Sequence, residues 1–100
     1  MYTIVAFVEA KSGRSAALRA ALLDLARISR EREAGCLQHD VSVDPLEPSS
    51  FLVYAVFEDL AAHQVHIDSP HYKGFIDIAS SWIASRRVLP FERISDHGQA

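Results

Sequence analysis

Cysteine occurs once, at Cys36, so no disulfide can form within the chain and a reducing compartment is its natural setting. Basic residues are the minority. Ten Lys and Arg against thirteen Asp and Glu leave a net charge of -3, without the positive footprint on which nucleic-acid binding depends. No apolar run reaches the length of a membrane span. The opening "MYTIVAFVEAKSG" lacks the basic segment and long apolar stretch of a secretion signal. Gly and Pro number four each, too few for long unstructured segments, and Asn is missing altogether. We therefore expect a cytoplasmic protein with neither nucleic acid nor membrane as partner. One hundred residues suffice for a single core.

What is present is patterned. "YTIVAFVEA" (2–10) is rich in β-branched and aromatic residues and stops at "KSG", so it reads as a strand. From Gly13 to Ala34 the period changes. Leu18, Ala21, Leu22, Leu25 and Ile28 share one helical face, with Arg14, Arg19, Arg27, Arg30 and Glu31 away from it. Gly35 reads as the stop, in the left-handed conformation that ends many helices. "CLQHDVSV" (36–43) alternates as a strand, and "DPLEPSS" (44–50) reads as a loop. "FLVYAVF" (51–57) is apolar enough for a strand buried on both faces.

Asp59 caps a short helix, "LAAHQVHI", and Ser69-Pro70 restarts one, with Ser as cap and Pro in the first turn. Tyr72, Phe75, Ile76, Ala79, Trp82 and Ile83 make its buried face. "RRVLPFERIS" (86–95) is the last strand. Pro90, lacking the N–H that a ladder needs, places it at a sheet edge. Residues 1–95 form one domain, and the tail 96–100 is expected to fray.

The order β-α-β-β-α-β, with the second helix broken in two, is the ferredoxin-like arrangement of the α+β class. Its sheet normally offers one face to helices and the other to water. Here the second face is apolar too: Val5 and Phe7 on the first strand, Leu52, Tyr54 and Val56 on the third. An exposed patch of that kind calls for cover, and a second copy of the chain supplies it. We expect a homodimer with sheets packed face to face, a dimeric α+β barrel.

The "KSG" after the first strand, the "AGCLQHDVSVD" opening the second and "FLVYAVFEDLAAHQVHIDSPHY" together resemble the antibiotic biosynthesis monooxygenase (ABM) family. Members commonly read P-G-C-L in the second place. In the third they read Y-E-x-W-x-D, a helix bearing a His, then S-x-H-F or S-x-H-Y. Aligned this way, His66 is the helix histidine and Ser69-Pro70-His71-Tyr72 the turn after it. The resemblance implies oxygenation of a small electron-rich aromatic (quinol, phenol or anthrone type) by molecular oxygen, without flavin or metal. It also implies that Ala55 and Phe57, standing where members have Glu and Trp, face the substrate cleft. The family's haem-degrading branch relies on an Asn and a further helix His, both missing here, which points away from haem.

"FEDLAAHQVHIDSPHYKGF" (57–75) gathers His63, His66 and His71. As metal ligands, His63 and His66 share a helix face, and His71 or Asp68 would have to complete the set. No tight ligand motif is present, so we expect no metal and no other cofactor. For His66 two readings stand side by side: a base at the cleft mouth, and a structural residue bonding a carbonyl at the helix break. Phe51, Phe57, Phe75 and Trp82 are candidates for the cavity wall, and Tyr72 and Arg86 for hydrogen bonds to an oxyanion. His39 and His71 are further candidates for the pocket. Cys36 reads as a buried small hydrophobe. Two rivals use the same fold: a ligand-binding or stress-response dimer without turnover, and a cofactor-free isomerase.

Overall fold

Alternation with a period of two builds the first strand, β1 (Tyr2–Ala10). Ile4, Ala6, Val8 and Ala10 are buried on one side, with Val5 and Phe7 on the other. In the computed structural model, which describes residues 1–95, β1 is followed by α1 (Ser15–Arg32), β2 (Cys36–Asp44) and β3 (Glu47–Phe57). Two helices, α2 (Leu60–Asp68) and α3 (Pro70–Ala79), a 3₁₀ turn (Ser80–Trp82) and β4 (Ile83–Glu92) complete the fold. The tail expected to fray, 96–100, lies outside the described residues.

The strands form one antiparallel sheet in the order β2-β3-β1-β4. This is the ferredoxin-like α+β fold. β4 is an edge strand, and Pro90 stands opposite Ile4 in it. Registers line up the inner rows His39–Ala55–Ile4 and Val41–Val53–Ala6, against which the helices pack. Leu18 and Leu22 of α1, almost fully buried against Val8, Phe51 and Val53, contribute about 2 kcal/mol each. A second cluster, Ile4, Cys36, Ala55 and Phe57, sits under Ala62 of α2.

Four local expectations are corrected. Gly35 is not left-handed; Gly13 alone among the described residues has positive φ, at 78°. Gly35 is required by close approach, since a Cβ there would lie 2.5 Å from the Ala62 Cβ. The loop expected over 44–50 is strand from Glu47, because β2 pairs with β3 down to Asp44 and Glu47. The turn is tight, and the Asp44 carboxylate accepts from the Leu46 N–H at 2.9 Å. Trp82 lies in the 3₁₀ turn and Ile83 already in β4, so α3 ends at Ala79. β4 accordingly starts and stops three residues earlier than expected, its backbone held by pairing with β1 from Tyr2 to Ala10.

Candidate active site

The site is built where three helix ends meet: the last turns of α1 and α2 and the first of α3. The Asp59 side chain caps α2 by accepting from the Ala62 N–H at 2.8 Å. At the other end of α2, the Ser69 hydroxyl donates to the His66 carbonyl at 2.6 Å and accepts from the Tyr72 N–H at 3.2 Å. One side chain thus closes α2 and opens α3, with Pro70 in the first turn. The break has a geometric consequence. In an unbroken helix residues five apart point roughly 140° away from each other. Across the Ser69 kink His66 and His71 instead converge.

They converge on Glu33. This residue ends α1 in extended conformation (φ -110°, ψ 108°) and lies 7% exposed. His66 Nδ1 is 2.9 Å from Glu33 Oε2, and His71 Nε2 contacts the same oxygen. The fully buried Ser29 hydroxyl is a further 3.4 Å neighbour of His66 Nδ1. A carboxylate only accepts hydrogen bonds, so both ring nitrogens facing it carry protons. His66 is thereby held as the Nδ1–H tautomer with its lone pair on Nε2, which bonds no other described residue. Glu33 Oε1 is buried without a hydrogen-bond partner among the described residues.

His66 opens onto a cavity of about 160 Å³ between sheet and helices. Apolar side chains from β1, β3, β4, α1 and α3 line most of it. Of the expected pocket residues, His39, Ala55, Phe57, His66, Tyr72, Phe75 and Arg86 are on this wall. Phe51 and Trp82 are not; both pack in the larger core cluster. His71 lies behind His66, across the Glu33 carboxylate. His63 is half-buried on the cavity wall, its ring centre 5.1 Å from Phe57 and 5.2 Å from Tyr2. Tyr54 faces the outer side of the sheet, in register with Val5 and Asp40.

Burial sets the charge state of the cavity. It pushes the His39 imidazole down to about 4, with the neighbouring His66 adding to the effect, and His39 Nδ1 has no hydrogen-bond partner among the described residues. Burial also lowers His63 and His66; for His66 the hydrogen bond and charge of Glu33 oppose it. The cavity imidazoles are therefore neutral at pH 7 and available as proton acceptors. Opposite them, Arg86 donates to the Tyr72 hydroxyl oxygen at 2.7 Å, leaving that hydroxyl free to donate onward. The Tyr72 ring centre lies 5.1 Å from that of His66. Cys36, as expected, is buried, and burial raises its thiol to about 11.

Glu33 escaped the sequence reading. In "REREAG" it looks like one of several solvated charges. The one available signal is its position: an acid at a helix C-terminus opposes the helix dipole, and here it does so among Arg30 and Arg32.

Fold and cleft define a small α+β protein of ferredoxin-like topology with a histidine-lined apolar pocket. Residues 1–78 match the family model described as antibiotic biosynthesis monooxygenase. The chain belongs to that family. Among solved structures, it is similar to a Deinococcus radiodurans protein provisionally named an antibiotic biosynthesis monooxygenase (26% identity, TM-score 0.88, covering 96% of this chain and 95% of that one). Protein PA3566 of Pseudomonas aeruginosa is 28% identical, with a TM-score of 0.87 and 94% of each chain covered. A Nitrosomonas europaea protein of the same provisional name, at 21% identity and TM-score 0.89, covers 95% of this chain and 100% of its own and shares the fold. No curated protein matches the chain.

Proposed function

We propose that the protein is a cofactor-independent monooxygenase acting on a small electron-rich aromatic of quinol, phenol or anthrone type, with His66 as the base. The observation that carries this is the Glu33–His66 pair at the apolar cavity, 2.9 Å between Oε2 and Nδ1. The buried carboxylate holds one ring nitrogen as a donor and leaves Nε2 to take a proton. Triplet oxygen reacts poorly with closed-shell molecules unless it receives an electron. An aromatic anion in an apolar site is such a donor.

The reaction balances without a further reagent. His66 takes one proton, the substrate anion passes one electron to O₂, and the two radicals combine to a peroxide. Protonation and loss of water then leave a new carbonyl. One oxygen atom enters the product and the other leaves as water. Tyr72, held by Arg86, supplies a donor for the oxyanion that forms on deprotonation. The single reduced Cys36 fits a cytoplasmic setting, and no described helix is long and apolar enough to cross a membrane. The working unit is a homodimer through the outer sheet face.

A second reading, a ligand-binding dimer without turnover, is favoured by Ala55 and Phe57, which line the cavity where the resemblance has Glu and Trp. Oxygen uptake recorded over a panel of quinols, naphthols and anthrones separates the two. The monooxygenase consumes one O₂ per product, whereas ligand shifts without product leave only the binder. Product formed without oxygen uptake would instead make the protein an isomerase.

A further inference from the structure

The Glu33 cluster has features that a base-orienting dyad does not need. A dyad requires one histidine, and here two imidazoles from two helices meet one carboxylate oxygen. The three donor atoms, Glu33 Oε2, His66 Nδ1 and His71 Nε2, lie within 4.8 Å of one another, and Glu33 and His66 are buried. Around a tetrahedral ion with bonds of about 2.0–2.2 Å, donor atoms sit roughly 3.3–3.5 Å apart, so small ring rotations suffice. The second carboxylate oxygen, Oε1, is buried with no hydrogen-bond partner among the described residues, an arrangement that usually costs ~1–3 kcal/mol or more for a charged group. An ion between the three side chains would supply the positive charge that this carboxylate lacks.

We infer that Glu33, His66 and His71 bind a divalent transition-metal ion of the Zn²⁺ or Co²⁺ type, and that the bound ion disables His66 as a base. Two imidazoles and one carboxylate are the donor set that such ions take, with a position left for water. His63 lies outside the set, unlike the pair that spacing along the helix suggests. The inhibitory half follows from proton counting. A neutral imidazole carries one proton, so once Nδ1 gives its lone pair to the ion the proton must sit on Nε2, facing the cavity. His66 then offers a donor where an acceptor is needed. This half rests on the proposed role of His66; binding of the ion does not.

The test uses tag-free protein and no substrate. Co²⁺ titration should give visible ligand-field bands that saturate at one ion per chain. In ¹⁵N-histidine spectra, added Zn²⁺ should move His66 Nδ1 and His71 Nε2 from protonated to metal-bound positions and place the His66 proton on Nε2. His71→Ala and Glu33→Gln should each weaken Co²⁺ binding at least ~100-fold, since even outer-shell changes weaken metal sites by 10- to 100-fold. His63→Ala should leave Co²⁺ affinity unchanged. The inference is overturned if the ligand-field bands fail to appear or persist undiminished in His71→Ala. It is equally overturned if the ¹⁵N spectra keep the proton on His66 Nδ1 with Zn²⁺ present. If a variant fails to fold, the spectra of the unaltered chain decide. Absent oxygen uptake with intact Zn²⁺ signals would defeat the oxygenase and leave the metal site standing.

Discussion

At the scale of single residues, the decisive pair is Glu33 and His66. If His66 is the base, His66→Ala should lower turnover by ~10²-fold or more, the low end for loss of a general base. Because burial holds this imidazole below its ordinary value, the acid limb of the wild-type rate should lie below pH ~6.5. Glu33 acts through the ring, as a positioning residue. Its charge raises the His66 affinity for protons, so Glu33→Gln should both slow turnover, by no more than ~10²-fold, and move the acid limb to lower pH. A carboxylate with only a structural role would not move that limb. His63→Ala is not a neutral control for activity, since His63 shares the cavity wall. His39 makes a separate claim about stability. Its folded value of about 4 lies below the unfolded value of about 6.5, so the unfolded chain binds the extra proton. The contribution is complete above pH ~6.5 and drains away as pH falls toward 4. Between pH 7.5 and pH 5 unfolding free energy should drop by about 2 kcal/mol from this residue alone. Urea midpoints at the two pH values check it, and His39→Gln should flatten the difference; an equal drop in that variant would acquit His39.

At the scale of elements, period and punctuation were legible. The alternation of "YTIVAFVEA", the Asp59 cap and the Ser69-Pro70 restart all lie within a few residues of the structure they cause. What could not be read are contacts made between elements distant in sequence. Glu33 is buried because α2 and α3 dock over the end of α1, and nothing in its own neighbourhood shows that. His66 and Tyr72 could be named in advance through a family likeness, and Arg86 from its place at the start of the expected last strand, yet their partners could not. Gly35 is the same lesson in reverse. Its place after a helix suggests a turn, whereas its true constraint comes from Ala62, across the gap to α2. Gly35→Ala should force α2 away from the start of β2 and destabilise the fold by about 1–3 kcal/mol, the usual range for overpacking. Adding Ala62→Gly should recover much of that loss, because the clash is between those two Cβ positions. A double-mutant cycle in urea measures the coupling; strictly additive effects would mean that Gly35 matters for its backbone alone.

At the scale of the whole molecule, the unanswered surface is the outer face of the sheet. Register places Val5, Phe7, Leu52, Tyr54, Leu89 and Phe91 on it, with Phe7 48%, Tyr54 40% and Phe91 53% exposed. Three aromatics left in water across three adjacent strands are more than a monomer of this size comfortably shows, and sheet-to-sheet packing removes them together. Val56 is no test of this, because it is only 8% exposed within a single chain, and a charge there would damage the fold itself. Phe7 and Tyr54 are the positions to charge. The wild type should sediment at about twice 11.1 kDa at micromolar concentration, and Phe7→Glu with Tyr54→Asp should sediment at 11.1 kDa with an unchanged far-UV spectrum. The cavity lies on the other side of the sheet from this face, between sheet and helices. The separated chain should therefore still bind aromatic ligands, with stability rather than chemistry reporting the loss of the partner. A wild type that stays monomeric at these concentrations would leave the aromatic face without an explanation and end the dimer proposal.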